Sequence, residues 1–154
     1  MEVVKKMDFR IVIDTREQAP WDFDCQTVRG KLDAGDYSVE GLEHAIAVER
    51  KSLPDFVHTV IHDLDRFCAE LEKLAGYEAA CIVVEGDLDR VLRGLEIAAL
   101  RGARPESVLG AAMWLGMTYG VPVFWCGSRQ AARAFTDAYL RMFVRLWAEG
   151  GIRP

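Results

Sequence analysis

AIAVERKSLPD, residues 45–55, changes its period in the middle. Up to Lys51 it reads as a strand, so Glu49 and Lys51 leave one face while Arg50 leaves the other. From Ser52 it reads as a helix start: Ser52 is a natural N-cap, Pro54 is tolerated in the first turn, and Asp55 sits at N3. Phe56, Val57, Val60, Ile61, Leu64, Phe67, Cys68, Leu71 and Leu74 follow at i, i+3/i+4 spacing and predict one helix ending near Gly76. The adjacent charges have two readings, a solvated strand end or a chemical centre. What else converges on Glu49 and Lys51 decides between them.

Working outward, DYSVE (36–40) and AIAVERK (45–51) form the arms of a hairpin with EGLEH as its loop. Upstream, FRIVID (9–14) is a short apolar run ending in a polar cluster, the pattern of a buried strand. TREQAPWDFD is turn-rich, and CQTVRGKL (25–32) offers a modest second strand. Downstream come an apolar strand AACIVVEG (79–86), a short helix through Leu88–Leu95, a helix over 104–119 and a strand VPVFWC (121–126). Ser128 opens a last amphipathic helix running to about Trp147. This order predicts an α/β fold, with a central mixed sheet flanked by helices on both faces. Trp114, Trp125 and Trp147 sit in apolar stripes and read as core. Trp21 lies in a polar turn, where it could stack on a base.

The 154 residues are 51% hydrophobic and 28% charged, which fits one soluble globular domain with a real core. No apolar run reaches the roughly 18 residues of a membrane span, and MEVVKKMDFR lacks the apolar core of a signal peptide. Cys25, Cys68, Cys81 and Cys126 are widely separated and read as reduced thiols, so a cytoplasmic location is expected. His58 and His62 have helical metal-ligand spacing but no third ligand pattern, and read as a surface pair. The net charge of −5 argues mildly against a nucleic-acid partner, but 18 of the 24 Asp and Glu lie in residues 1–85. A site that chelates cations needs such residues, and a locally basic face still meets phosphates.

Folding the hairpin back can bring Asp36 beside Glu49, and Asp14, ending the first strand, can reach the same sheet edge. Carboxylates converging at strand ends suit a hard cation such as Mg²⁺ or Mn²⁺. A lysine one strand step from a ligand can orient a water and stabilise charge on a phosphate, which together suffice for phosphodiester hydrolysis. Asp and Glu-x-Lys co-occur in many chains; the flanking residues make the pattern specific.

GDY (35–37) followed by VERKSLPD (48–55) resembles the G-D-x(n)-E-R-K-x-x-x-D signature of the XPF-type endonuclease domains. IVIDTREQAPW (11–21) is similar to their opening D-x-R-E-x-x-P segment, and DRFCAEL (65–71) to their R-F/L-x-x-Q/E-L helix. IVVEG (82–86) and YGVPVFW (119–125) look like their later core strands. The resemblance implies a restriction-endonuclease-like fold and a metal-dependent DNA endonuclease acting on branched, flap or fork DNA. It implies Asp14, Asp36 and Glu49 as metal ligands for Mg²⁺ or Mn²⁺, and Lys51 as the catalytic lysine. Arg50 becomes the signature arginine and Asp55 the closing aspartate of the catalytic set, although Ser52-x-x-Asp55 is equally a capping spacing. Arg16, Glu17 and Arg66 become supporting or DNA-contacting residues. Family nuclease domains pair through their late helices, so a homodimer is expected.

Many family members append helix-hairpin-helix units, and none is recognisable here. Residues 1–154 are therefore expected to be a single nuclease domain without a C-terminal helix-hairpin-helix domain, of prokaryotic or viral origin. Two alternatives stay open: a non-catalytic DNA-binding or scaffolding subunit with the same fold, and a nuclease acting on RNA or single strands.

Overall fold

The structure, a computed structural model, describes residues 8–151. The first seven and last three residues of the expected domain lie outside the described residues. Six strands form one sheet: β1 (Ile11–Asp14), β2 (Thr27–Gly30), β3 (Tyr37–Val39), β4 (Ile46–Ser52), β5 (Ala79–Glu85) and β6 (Val123–Trp125). Their spatial order is β2-β1-β3-β4-β5-β6. β3 runs antiparallel to β1 and β4, while the β1–β2, β4–β5 and β5–β6 pairs are parallel, so the sheet is mixed as expected. The helices are α1 (Leu53–His62), α2 (Leu64–Ala75), α3 (Leu88–Leu92), α4 (Ile97–Leu100), α5 (Pro105–Tyr119) and α6 (Arg129–Ala148).

The period-2 pattern of the central strands builds two cores. Ala80, Ile82 and Val84 of β5 join Ala47 of β4 beneath α1, α2 and α5, with Phe56, Leu71 and Leu115 fully buried. Cys81 and Val83 face the other way with Ile46 and Val48, against Ala132, Leu140 and Phe143 of α6. Each fully buried aliphatic side chain contributes roughly 1.5–3 kcal/mol, so truncating Ile82 at the sheet centre removes transfer energy and leaves a cavity. By strand parity, Glu49 and Lys51 belong to the α1/α2 face and Arg50 to the α6 face.

Two expectations change. The helix from Ser52 to Gly76 is broken at Asp63, whose φ of −137° ends α1 and begins α2. No glycine or proline lies there; aspartate is a weak helix former, and tertiary packing sets the break. His62 Nε2 lies 3.0 Å from the Ala99 carbonyl, tying the end of α1 to α4, a short helix that the sequence did not announce. Trp114 and Trp147 are not core: they are 46% and 38% exposed, beside exposed Met113 and Met117 on α5 and Met142 on α6. The two serine caps form as predicted, Ser52 Oγ accepting from the Asp55 N–H and Ser128 Oγ from the Ala131 N–H.

Gly86 closes the junction between β5 and α1. An added Cβ there would stand 2.7 Å from the Leu53 side chain, so only glycine lets the two elements approach.

Candidate active site

Asp36 and Glu49 meet at the open end of the hairpin. Tyr37 pairs with Val48 across β3 and β4, and the Asp36 N–H donates to the Val48 carbonyl at 2.8 Å. Continuing that register by one residue sets Asp36 opposite Glu49. Gly35 makes the entry possible: its φ is +76°, and a Cβ would press to 3.1 Å from the Val48 carbonyl oxygen. One Asp36 carboxylate oxygen accepts the Arg50 N–H at 2.7 Å.

Burial pushes the Asp36 carboxyl up to about 6, the Glu17 charge adding to it and the Arg50 N–H opposing it. Burial likewise drives Glu49 well above its ordinary range, helped by the Asp36 charge and opposed by Lys51. Lys51, two residues along the same face, rests its ammonium 5.1 Å from the centroid of the Phe67 ring on α2. Glu70, one turn further along α2, accepts the Gly35 N–H at 3.0 Å, and its charge bears on Glu49 and Arg16.

Asp14 lies beside Asp36 across β1 and β3, its N–H donating to the Asp36 carbonyl at 2.8 Å, with its own carboxylate oxygens already taken. Oδ2 accepts from the Arg16 N–H at 3.1 Å and Arg16 Nε at 2.8 Å; Oδ1 accepts from the Leu32 N–H at 2.8 Å and Arg16 Nη2 at 3.2 Å. Burial works against its ionisation, but these bonds outweigh it and hold the carboxyl below its ordinary value. Among the described residues no group of three or more His, Cys, Asp or Glu side chains is placed to hold a metal. The Asp14 carboxylate is engaged by Arg16 and the Leu32 N–H, and the hairpin brings together Asp36 and Glu49. That pair still fits a hard cation, because Mg²⁺ takes one or two carboxylates and completes its shell with waters and phosphate oxygens. A divalent charge would also relieve two half-buried carboxylates, of which Asp36 opposes the ionisation of Glu49.

The back face of β4 is built differently. Arg50 donates from Nε and Nη2 to the two Glu17 oxygens, each at 2.9 Å, and from Nη1 to Glu85 Oε1. Trp21 Nε1 at 2.9 Å and Arg129 Nη1 at 3.0 Å complete Glu85 Oε2. Arg29 Nη1 reaches the carbonyls of Asp14 and Glu17, each at 3.0 Å, fixing the turn that carries Arg16 and Glu17. Trp21 is 3% exposed and stacks on Tyr37 with centroids 4.7 Å apart, so it is core and no base platform.

The sequence matches the ERCC4 domain family over residues 13–138, a span that holds every side chain of this site. The chain belongs to the ERCC4 domain family. No curated protein sequence matches it. Among solved structures it is similar to XPF from Aeropyrum pernix, with a TM-score of 0.70 and 24% identity over 91% of this chain and 67% of that one. It is also similar to XPF from Aeropyrum pernix in complex with DNA, with a TM-score of 0.68 and 25% identity over 88% of this chain and 65% of that one. The restriction-endonuclease-like fold expected from the sequence is the one observed.

Within this ERCC4 domain the remaining expected residues take different positions. Asp55 is exposed in the first turn of α1, its N–H 3.3 Å from Ser52 Oγ. Arg66 is exposed on α2 and, among the described residues, pairs with neither Asp63 nor Glu70. Arg16 keeps 65% of its side chain exposed despite its bonds to Asp14. Three participants were not singled out from sequence: Glu70, Glu85 and Arg129. Glu70 carried a signal, since it occupies the Q/E position of DRFCAEL; Glu85 and Arg129 are lone charges at element ends.

Proposed function

We propose that the chain is a divalent-metal-dependent endonuclease that hydrolyses phosphodiester bonds in DNA, with branched, flap or fork junctions as its substrate. The observation that carries this reading is the half-buried Asp36–Glu49 carboxylate pair with Lys51 on the same face. Membership of the ERCC4 domain family, and the likeness to an XPF solved with DNA, support a nucleic-acid substrate.

Asp36 and Glu49 hold Mg²⁺ or Mn²⁺, which when bound supplies Lewis-acid activation of water and neutralises phosphate charge. Lys51 brings a cation to the negative charge that grows on the phosphate during in-line attack. Arg16, oriented by Asp14 and open to solvent, offers its remaining N–H groups to a neighbouring phosphate, and Arg66 does so from α2. Arg50 works from behind, braced by Glu17, holding the backbone from which Glu49 and Lys51 project. Asp55 favours the positive end of α1. A homodimer forms through the exposed apolar side chains of α5 and α6; light scattering of the purified chain tests this by giving twice the monomer mass.

Labelled flap, fork, nicked and single-stranded DNA, incubated with Mg²⁺ or Mn²⁺, test the reading. Branched DNA is cut, and Glu49→Gln or Lys51→Ala abolishes cutting without loss of fold. Undiminished activity in both pure variants would overturn the assignment. Binding of branched DNA without cutting, under either metal, would instead make this a non-catalytic subunit, and preferential cutting of RNA would change the substrate.

A further inference from the structure

Four side chains behind β4 form a chain of ion pairs with two positive and two negative members. Glu17 and Glu85 grip Arg50 from either side, and Glu85 in turn meets Arg129 at the start of α6. Arg129 Nη2 continues to the carbonyls of Ala19 and Pro20, both at 2.7 Å, in the segment that also holds Glu17 and Trp21. Three members are nearly closed to solvent, with side chains 14%, 4% and 8% exposed for Arg50, Glu17 and Glu85; Arg129 is 48% exposed.

We propose that Glu85 and Arg129 are positioning residues for the Asp36–Glu49–Lys51 site. The link is the Arg50 backbone. Its N–H binds the Asp36 carboxylate, and its chain neighbours are Glu49 and Lys51, so fixing the guanidinium fixes the spacing of all three. In β4–β5 register, Lys51 faces Val84 and Ser52 faces Glu85, so Glu85 anchors Arg50 at the level of the site. Arg129 prevents Glu85 from turning outward and ties the Ala19–Trp21 segment to the same carboxylate. Buried networks of this kind act as a unit, because removing one member leaves its partner unpaired in a low dielectric. The kinetic half of this inference rests on the nuclease reading above; the structural half does not.

The test uses the full chain carrying Glu85→Gln or Arg129→Gln, with Arg145→Ala, which breaks an exposed pair with Glu149, as control. Amide hydrogen exchange of Arg50 and Asp36 and cleavage of labelled flap DNA with Mn²⁺ are read together. Exchange at both amides rises about tenfold or more, kcat falls about 10- to 100-fold, and KM stays within about twofold. Arg129→Lys recovers part of the loss, and Arg145→Ala behaves as wild type. If Glu85→Gln does not fold, Arg129→Gln, altering the solvent-facing member, decides alone. Unchanged exchange in the folded variants overturns the inference, as does faster exchange with wild-type kcat. A wild type that cuts no substrate defeats the nuclease reading alone, and the exchange rates still decide whether Glu85 and Arg129 position the pair.

Discussion

Glu49 and Lys51 leave β4 toward α2, beside Asp36; Arg50, between them in sequence, leaves toward Trp21, Glu17 and Glu85. On the first side two carboxylates are crowded together and resist ionisation. On the second, every charge has a partner within hydrogen-bonding distance, and Glu17 is held below its ordinary value because Arg50 outweighs the cost of burial. One side stores an unmet demand for positive charge, and the other meets its demand internally. The period of a strand lets three consecutive residues serve both purposes, since a one-residue step reverses the face. Direct contact with the reaction and the main cost in stability are therefore expected to separate by parity along residues 49–51, the back face reaching activity only through the Arg50 backbone.

The largest effect that would break this comparison lies on the front face. Glu49→Gln and Lys51→Ala should each lower kcat on flap DNA by on the order of 10²–10³-fold or more, measured as initial rates with Mn²⁺. The urea midpoint of Glu49→Gln should equal or exceed that of wild type, while Lys51→Ala, which removes a cation facing both carboxylates, should fall slightly below it. Asp36 supplies the sign: its carboxyl is raised from 3.8 to about 6 in the folded chain. The folded state therefore holds the proton more tightly, and wild-type stability declines as pH rises across that window. Asp36→Asn removes its share of this decline and leaves that of Glu49, whose carboxyl burial also raises. A front-face variant that loses several kcal/mol would show that these residues hold the fold as well.

The back face should behave in reverse. Arg50→Ala leaves Glu17 and Glu85 buried without their main cation, which costs roughly 3–5 kcal/mol of stability by urea denaturation. The pH dependence differs in sign from that of Asp36. Glu17 titrates below its ordinary 4.5 in the folded chain, so its contribution is present above that value and lost as pH falls through the lower one. Wild type should lose stability steeply on that acid limb, and Arg50→Ala should flatten it. An Arg50→Ala chain as stable as wild type would remove the bracing role.

Metal addition sharpens the contrast at intermediate size. Mn²⁺ at about 100 times its dissociation constant should stabilise wild type by about 2.7 kcal/mol through mass action. Thermal melts should show that rise in wild type and Arg129→Gln, and lose it in Asp36→Asn and Glu49→Gln. An equal rise in all four would put the cation elsewhere.

The sequence made the front face readable because its logic is local. GDY and VERK lie on two arms of one hairpin, and strand parity separates Glu49 and Lys51 from Arg50 without any tertiary knowledge. The back face is non-local. Glu85 ends an apolar strand and Arg129 opens a helix 44 residues later, and nothing in AACIVVEG or GSRQ marks them as partners. Asp14 shows the same limit: a carboxylate at a strand end reads as a ligand, and nothing local announces that Arg16 and the Leu32 N–H donate to it. Trp21 in its polar turn, the break at Asp63, and exposed Trp114 were equally beyond a one-dimensional pattern, because burial is decided by which element passes overhead.

Asp55 gives the smallest expected effect and the finest test of where the front face ends. Its side chain is exposed in the first turn of α1, while its N–H is the group that Ser52 caps. A carboxylate there interacts favourably with the helix dipole, so Asp55→Ala should cost about 0.3–1 kcal/mol, and Asp55→Asn somewhat less. Ser52→Ala should cost a similar amount by releasing the same N–H. If the role is confined to the helix start, both Asp55 variants keep kcat within about threefold, because a fraction of a kcal/mol at an exposed terminus does not propagate to Glu49 or Lys51. A loss of about a hundredfold with unchanged stability would instead extend the front face across Ser52 into α1. The site would then draw on the first helical turn as well as the strand, and the change of period at Lys51 would fall inside the chemistry.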